Sequence, residues 1–302
     1  KNKKPKWESI SDKARLNGEI RNFQDLNYSI DDFIEFLKSP TVLLSNNPFL
    51  LLSGEAGVGK SHLLADVASK RNVRNQFSIL LLGQHFTVEE PWNQIKKLLQ
   101  ISCERDIFLS ALSAKAETKG SRILIFIDAI NEGEGKSLWK NYLAGFVVAV
   151  KKFPYIAVVF SIRSSYENLL IHSSLLRNKE LINVVHHGFQ DHEYDASKLF
   201  FENFNIKQPS IPLLHQEFSN PLFLKLFCEG LHNRRLQEIP DGYEGISTIM
   251  NFYLDSVDCK ISEKHNLPVR LNIIKEIIMQ FALRIAESDF PYLNYKEACA
   301  IV

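Results

Sequence analysis

The sequence predicts an α/β fold in which a mostly parallel β-sheet is covered by helices and is followed by an all-α helical domain. Short apolar runs alternate with segments of helical spacing as far as residue 188. Because such an alternation requires crossover helices, it is typical of a parallel sheet that is buried on both faces. From Gln190 onward the strand-like runs stop and only helical patterns follow. A glycine-rich segment between the first apolar run and the next helix is the third observation.

Composition and charge narrow the class of protein. The chain has 302 residues and a formal net charge of +1, so no global attraction to nucleic acid or anionic lipid is expected, and neither partner is indicated. The apolar runs have strand length and are too short to span a membrane. The cysteines are widely spaced, as is typical of reduced thiols in a cytoplasmic protein. They are Cys103, Cys228, Cys259 and Cys299.

The two ends of the sequence predict a fragment. No methionine starts the chain, and residues 298–302 end it inside an apparent helix. No signal peptide is visible, because the basic stretch at residues 1–6 has no apolar run behind it. We therefore expect a piece of a longer polypeptide, with further domains outside it.

The chain begins with a predicted lead-in segment at residues 1–39. Its apolar residues have helical spacing, and Pro40 is expected to end the helix. Residues 41–47 are then expected to cross to the first strand, which the apolar run at 48–52 predicts.

Residues 54–61 fit the pattern G-x-x-x-x-G-K-[ST] at every fixed position. In this pattern backbone N–H groups converge on phosphate oxygens, the lysine reaches the β- and γ-phosphates, and the hydroxyl ligates Mg²⁺. The strand before it and the helix after it supply the required context. We therefore predict a P-loop NTPase fold that binds ATP or ADP with Mg²⁺. The predicted nucleotide-binding residues are Gly54, Glu55, Ala56, Gly57, Val58, Gly59, Lys60 and Ser61, of which Ser61 is also a metal ligand.

The next strands are predicted at 77–83 and 122–127, with helices between them at 91–119. A basic stretch before the first of them (Lys70, Arg71 and Arg74) is interpreted as a solvated helix end rather than a nucleic-acid patch. The second strand ends at Asp128, which is expected to hold the Mg²⁺ shell as a Walker B acid does. Glu132 is expected to align the attacking water. The competing interpretation is a strand that merely ends in a polar turn.

A helix at 139–150 and a strand at 155–162 are predicted to deliver Arg163 to the same sheet edge. A cation there could contact the γ-phosphate, although a surface ion pair is the alternative. A short strand at 182–186 precedes the domain boundary, which is expected near Gly188. The helical patterns beyond it lie at 191–204, 210–218, 221–232, 246–259 and 270–287.

Together these motifs resemble the STAND class of P-loop NTPases, particularly its NACHT-like branch and the bacterial antiviral Avs ATPases. The resemblance covers roughly residues 40 to 300. The first two of its matching segments are specific in combination, and the last two are weak individually. These segments are the phosphate loop and the start of its helix (54–64), the Walker B run (125–132), the sensor strand end Ser161-Ile162-Arg163, the pair Gly188-Phe189, and Asn220-Pro221-Leu222-Phe223-Leu224.

The resemblance implies a P-loop nucleotide-binding domain at 40–188, a small helical domain at 189–246 and the start of a winged-helix domain at 247–302. It implies that Pro221 lies against the adenine. His62, inside the first matching segment, is included among the nucleotide-binding residues, although a lone histidine is more often solvent-facing or satisfied by a neighbour. In NACHT proteins an acid usually stands where this chain has Asn131, so hydrolysis is expected to be slow or metal affinity to be altered.

The resulting hypothesis is a regulatory ATPase of bacterial antiphage defence with Lys60, Glu132 and Arg163 as catalytic residues. As the resemblance implies, the protein closes around ADP at rest. When a trigger protein, for example a viral one, is sensed outside this fragment, it binds ATP, forms a homo-oligomer and activates an effector. Three alternatives stay open: a motor or loader on nucleic acid, a P-loop phosphotransferase, and a scaffold that binds ATP without turnover. A GTPase is disfavoured, because Asn178-Lys179-Glu180-Leu181 fails the N-K-x-D pattern at its last position.

Overall fold

The computed structural model describes most of the chain and divides it into two compact units. The described residues are 6–208, 216–239, 244–265, 267–268, 272–287 and 292–301. Residues 1–5 of the predicted basic tail and most of the helix predicted at 210–218 lie outside them. One unit consists of the chain up to Glu55 together with Lys60–His186, and the other of Ala56–Gly59 together with the chain from His187 onward.

The first unit alternates strands and helices. Its strands are β1 (Phe49–Gly54), β2 (Ser78–Leu82), β3 (Ile123–Asp128), β4 (Ile156–Arg163) and β5 (Ile182–Val185). Its helices are α1 (Lys6–Lys38), α2 (Pro40–Asn46), α3 (Lys60–Val73), α4 (Pro91–Leu98), α5 (Arg105–Thr118), α6 (Gly135–Lys151), α7 (Ser164–Leu170) and α8 (Ser173–Arg177), with a 3₁₀ turn at Gly83–His85.

The five strands form one sheet in the order β2-β3-β4-β1-β5, and each of its pairings is parallel. β4 therefore lies between β1, which leads into the phosphate loop, and β3, which ends at Asp128. Gly54 pairs with Arg163, and Leu82 pairs with Asp128, so these residues meet at the carboxyl edge of the sheet. This is the P-loop NTPase α/β fold that the sequence predicts.

The core explains why the strands are apolar throughout. Every residue of β4 before Arg163 is buried, as parallel strands covered on both faces require. Trp139 of α6 is fully buried on one face of the sheet, where its ring lies edge-on to the rings of Phe86, Phe146 and Phe160 at centroid distances of 5.5–5.6 Å. A smaller apolar cluster covers the other face and consists of Leu52, Leu64, Phe126 and Val159.

The structure corrects the predicted crossing at 41–47, because α2 occupies most of it. Pro40 ends α1 as predicted, but it also stands at the first position of α2, where its missing N–H costs nothing. The segment from Ser164 to Arg177 likewise forms two short helices, α7 and α8, where no element was predicted. Both helices are short, so their apolar periodicity has little room to show.

The second unit is helical in its described residues. It contains α9 (Glu193–Asn203), a 3₁₀ turn (Gln216–Ser219), α10 (Pro221–Asn233), α11 (Glu244–Lys264), α12 (Ile273–Ala286) and α13 (Tyr295–Cys299). Its core is built from fully buried Phe218 and Phe227 with Phe201 and Leu231 around them. The separation of a small helical domain from a winged-helix domain at 247 stays a prediction.

No helix among the described residues has the length and apolar character needed to cross a membrane.

Candidate functional site

The candidate site lies at the carboxyl edge of the sheet in the first unit. Three neighbouring strands end there, and each contributes a residue singled out from the sequence: Gly54 from β1, Arg163 from β4 and Asp128 from β3. Ligands of open α/β sheets bind outside this edge. The parallel register thus brings together residues that are far apart in the sequence.

The phosphate loop holds the side chain of Lys60 against its own backbone. Gly57 and Gly59 adopt φ angles of +79° and +97°, which glycine tolerates and other residues rarely do. Lys60 begins α3 and is buried, and its Nζ donates to the carbonyl oxygens of Gly54 (2.8 Å) and Glu55 (2.7 Å). These carbonyls are neutral, and among the described residues no carboxylate forms an ion pair with the ammonium.

The pKa of Lys60 is lowered from its ordinary value. Burial is the main cause and the positive charge of Arg163 the second, while the carboxylates of Asp128 and Glu55 act in the opposite direction. A phosphate group would supply the missing negative charge next to this ammonium. The residues present therefore fit a nucleotide phosphate.

Ser61 and His62 follow Lys60 in the first turn of α3, and both are exposed. The Ser61 hydroxyl thus stands at a helix N-terminus that is open to solvent. Val58, in contrast, is buried within the loop.

Asp128 is buried, and one of its carboxylate oxygens is fixed by Ser161. The Ser161 hydroxyl donates to Oδ1 of Asp128 at 2.5 Å and accepts from the backbone N–H of Ala129 at 2.7 Å. Ala129 has a φ of +53°, an uncommon value for a residue with a side chain. Within the described part of the chain the second oxygen of Asp128 makes no hydrogen bond. A carboxylate and a hydroxyl, here those of Asp128 and Ser61, are ligands that Mg²⁺ accepts, so the donor set fits this ion.

Arg163 is held at two points by consecutive residues of the loop after β3. Its Nη2 donates to Oε1 of Glu132 at 3.0 Å, and its backbone N–H donates to Oδ1 of Asn131 at 3.1 Å. The Asn131 side chain is buried, whereas the ion pair is partly exposed. Arg163 thus pairs with a carboxylate, as the alternative interpretation expected, but that carboxylate belongs to the residue predicted to align water.

The turn after β2 packs closely on the same loop. Gly83 is buried, and a Cβ atom added to it would overlap the carbonyl oxygen of Ala129 and lie 2.8 Å from that of Asp128. Only glycine fits there without a backbone shift. The turn therefore supports the strained backbone that follows Asp128.

Pro221 stands at the first turn of α10 in the second unit. The Asn220 side chain caps this helix by accepting from the N–H groups of Leu222 (2.9 Å) and Phe223 (3.3 Å). The N–H of Leu222 also donates to the carbonyl oxygen of Gly57 at 3.2 Å, in the loop segment that belongs to this unit. The position of Pro221 against an adenine stays a prediction.

Sequence reasoning missed the roles of Ser161 and Gly83. Ser161 is a polar residue in an otherwise apolar strand, two positions before Arg163 and therefore on the same side of β4. This polar residue in an apolar strand was a signal from which a role at the site could have been predicted. Gly83 follows an apolar run, as many turn glycines do. Its close contact with Ala129 could not be predicted, because nothing in the neighbouring sequence indicates it.

No protein-family model matches this sequence, and no curated protein sequence matches it either. Solved structures do resemble it. A Walker-type ATPase of Pyrococcus abyssi is 16% identical, with 86% of this chain and 85% of that chain covered and a TM-score of 0.44. Cdc6p of Pyrobaculum aerophilum is 14% identical over 88% of this chain and 78% of its own, with a TM-score of 0.43.

The Orc1 protein of Aeropyrum pernix, solved in complex with DNA, is 12% identical over 84% of this chain and 76% of its own, with a TM-score of 0.40. These identities and scores are low. The P-loop NTPase fold is therefore assigned from the strand order and the phosphate loop, and the function is proposed from the residues of the site.

Proposed function

We propose that this chain is an ATP-binding and ATP-hydrolysing switch module. The observation that carries the proposal is the ion pair between Arg163 and Glu132, at the sheet edge that also holds Lys60 and Asp128. One cation and one candidate base are thus paired with each other beside a phosphate-binding loop. A γ-phosphate is the group that could separate them.

The mechanism begins with the exchange of partners at Lys60. Its ammonium leaves the carbonyl oxygens of Gly54 and Glu55 for phosphate oxygens, while the loop N–H groups bind the same phosphates. Mg²⁺, held by Ser61 and Asp128, would supply neutralising charge next to the phosphates. Ser161 keeps the Asp128 carboxylate in one orientation throughout.

The second step concerns Arg163. Its guanidinium cannot stay in full contact with Glu132 while it turns toward the γ-phosphate, so nucleotide binding releases the carboxylate. The freed Glu132 can then accept a hydrogen bond from water and orient it for in-line attack. After phosphate is lost, the original ion pair forms again. ATP and ADP thus favour different arrangements of the same two side chains, which is the unequal affinity that a switch needs.

The finer proposal is that the switch belongs to a STAND-type protein of bacterial antiphage defence. Its support is the resemblance of the phosphate loop, Walker B run, sensor strand and the Asn220-Pro221 segment to that class. In this proposal Pro221 and His62 contact the nucleotide, ADP is held at rest, and a trigger protein promotes ATP binding, homo-oligomerisation and effector activation. Asn131 accepts a hydrogen bond from the backbone of Arg163 and carries no negative charge, and in this proposal the missing charge makes hydrolysis slow.

The test is to purify the chain without added nucleotide, denature it and identify the released nucleotide by chromatography and mass. We expect stoichiometric ADP from the wild type and none from Lys60→Ala. Protein that is empty after purification, and that then binds ATP weakly and hydrolyses it rapidly, would instead indicate a constitutive enzyme or motor. Retention of ADP by Lys60→Ala would count against the assigned site.

A motor or loader on nucleic acid is the second candidate, and a basic cluster at the opposite edge of the sheet favours it. Arg71 donates to the carbonyl oxygen of Arg122 at 2.5 Å, and Nζ of Lys115 lies 5.5 Å from the ring centroid of Phe77. The side chains of Arg71, Lys115 and Arg122 have no carboxylate partner within the described residues. Their positive charges are therefore not neutralised by an ion pair. Stimulation of ATP hydrolysis by DNA, lost in Arg71→Ala together with Lys115→Ala, would favour this candidate over the switch.

A further inference from the structure

The start of α10 is hydrogen-bonded to the tip of the phosphate loop within the second unit. Nδ2 of Asn220 donates to the carbonyl oxygen of Ala56 at 3.3 Å, and the backbone N–H of Leu222 donates to that of Gly57 at 3.2 Å. The loop segment Ala56–Gly59 belongs to this unit together with α10. Two consecutive peptide groups of the loop are therefore held by the cap and the first turn of one helix.

The side chain of Asn220 forms three hydrogen bonds, and only one orientation of its amide satisfies them. Oδ1 accepts from the N–H groups of Leu222 (2.9 Å) and Phe223 (3.3 Å), which caps α10, while Nδ2 donates to Ala56. Rotating the amide by half a turn would place its NH₂ group against two N–H donors and its oxygen against a carbonyl oxygen. The cap therefore fixes the group that donates to the loop.

Gly57 allows the loop to approach the start of α10 closely. A Cβ atom added to Gly57 would lie 2.8 Å from Cβ of Leu222 and 3.1 Å from Oδ1 of Asn220. The φ angle of Gly57, +79°, would also strain any other residue at this position. The two hydrogen bonds to the loop thus depend on a backbone that only glycine can supply.

These contacts set the direction of N–H groups on the other side of the loop. In a trans peptide the C=O group and the N–H group that follows it point in opposite directions. Holding the carbonyl oxygens of Ala56 and Gly57 therefore turns the N–H groups of Gly57 and Val58 away from α10. Such N–H groups are the donors that a phosphate loop offers to phosphate oxygens, and donors that are already oriented lose less entropy when they bind.

We propose that Asn220 is a positioning residue for phosphate binding, through the hydrogen bond from its amide to the carbonyl oxygen of Ala56. The inference rests on the proposed function, because it concerns the same phosphate loop. Lys60 binds the two preceding carbonyl oxygens, those of Gly54 and Glu55, and is proposed to leave them for phosphate. Asn220 keeps its contact in both states, so the loop holds its shape while Lys60 changes partner.

The test is the rate at which bound ADP exchanges with excess labelled ADP, together with competition by pyrophosphate, which has phosphates but no nucleoside. Asn220→Ser removes the amide that donates to Ala56, while the serine hydroxyl, one bond shorter, still caps α10 without a change of charge. We expect ADP release to be about three- to tenfold faster, as the loss of one hydrogen bond predicts. Pyrophosphate binding should weaken by a similar factor.

Asn294→Ser is the matched control. Asn294 caps α13 by accepting from the N–H of Glu297 at 3.0 Å, so the same substitution is made at another helix start of the same unit. ADP release from this variant should equal that from the wild type. Urea denaturation without nucleotide should give the same midpoint for Asn220→Ser and the wild type, whereas added ADP should stabilise Asn220→Ser less.

Three results would overturn this inference alone. One is release of ADP from Asn220→Ser at the wild-type rate. Another is equal acceleration in Asn294→Ser, since the effect would then follow from a loosened helical unit. The third is faster ADP release with unchanged pyrophosphate binding, since the affected contact would then be to the nucleoside. A wild type that binds neither ADP nor pyrophosphate would contradict the proposed function as well.

Discussion

Nη2 of Arg163 lies 3.0 Å from Oε1 of Glu132, and this contact joins the end of β4 to the loop after β3. The neighbouring Asn131 amide fixes the backbone of the same arginine. The side chain of Arg163 is thus the movable part of an otherwise fixed residue. Its partner, Glu132, is the group we propose to orient water.

The first prediction concerns the two members of this ion pair. Glu132→Gln should lower ATP hydrolysis by about 100-fold or more, because an amide cannot accept a proton from water as a carboxylate can. Arg163→Ala should lower the preference for ATP over ADP by about tenfold, since the γ-phosphate loses a cation. Phosphate release and binding titrations measure the two effects.

The free energy of unfolding of the two variants shows whether a loss of activity is due to the site or to a destabilised fold. Both side chains are partly exposed, so the ion pair contributes only about 0–1 kcal/mol to the free energy of unfolding. Urea denaturation of both variants should therefore agree with the wild type within that range. Equal phosphate release by wild type and Glu132→Gln would remove Glu132 from the mechanism.

The second prediction concerns Ser161. Ser161→Ala removes the hydroxyl that donates to Asp128 and accepts from Ala129, and leaves a buried carboxylate oxygen and a part-buried N–H without this partner. We expect a loss of about 1–3 kcal/mol in the free energy of unfolding. We also expect a higher Mg²⁺ concentration for half-maximal ATP hydrolysis, because Asp128 is no longer held in one orientation.

Ser161→Thr is the matched control, since it keeps the hydroxyl and suits a strand. It should retain most of the Mg²⁺ response. An unchanged Mg²⁺ dependence in Ser161→Ala would mean that the hydroxyl supports the fold only.

The third prediction compares two glycines. Gly83→Ala should destabilise the protein by about 1–3 kcal/mol, because the new methyl group meets the backbone carbonyls of Ala129 and Asp128. Gly145→Ala should instead stabilise it by about 0.5–1 kcal/mol, because Gly145 is exposed inside α6 and nothing lies within 4 Å of the added carbon. Chemical denaturation of both variants gives the comparison. Similar midpoints would show that the turn at Gly83 can shift freely.

The fourth prediction concerns Cys228. Burial, with a smaller effect of Glu229, raises the pKa of this thiol to about 12 from its ordinary value of 9.0. Between pH 9.0 and about pH 12 the Cys228 thiol therefore keeps its proton in the folded protein and loses it in the unfolded chain. The contribution to stability is present below pH 9 and is lost as the pH rises toward 12.

Alkylation checks this directly. At pH 8 a thiol reagent should modify Cys299, which is exposed, and should leave Cys228 unmodified until the protein is denatured. Mass spectrometry of peptides identifies the modified residue. Rapid labelling of Cys228 in the native protein would contradict its burial in the helical core.

The strands and the sheet edge that holds the candidate site were predictable because their signals are local. Each predicted apolar run agrees with an observed strand to within about two residues. The phosphate loop likewise follows a short pattern with fixed spacing. Asp128 and Arg163 could be placed at one edge because parallel strands end on the same side of a sheet.

The remaining features depend on contacts that no short stretch of sequence contains. The order of the strands sets β4 between β1 and β3, and apolar runs do not encode which strand neighbours which. The ion pair of Arg163 with Glu132 and the bond of Ser161 to Asp128 follow from that order. Helix α2 was missed for a different reason, because Pro40 was interpreted only as an end and not also as a start.

The central position of β1 has a consequence for synthesis of the chain. Phe49 pairs with Val158 and Leu50 with Ile182, so both neighbours of β1 leave the ribosome long after it. At roughly 5–20 residues per second, this apolar strand waits on the order of ten seconds for its partners. During this interval the nascent chain exposes a segment suited to chaperone capture. The sheet edge at which Gly54 lies beside Arg163 can form only after β4 has emerged.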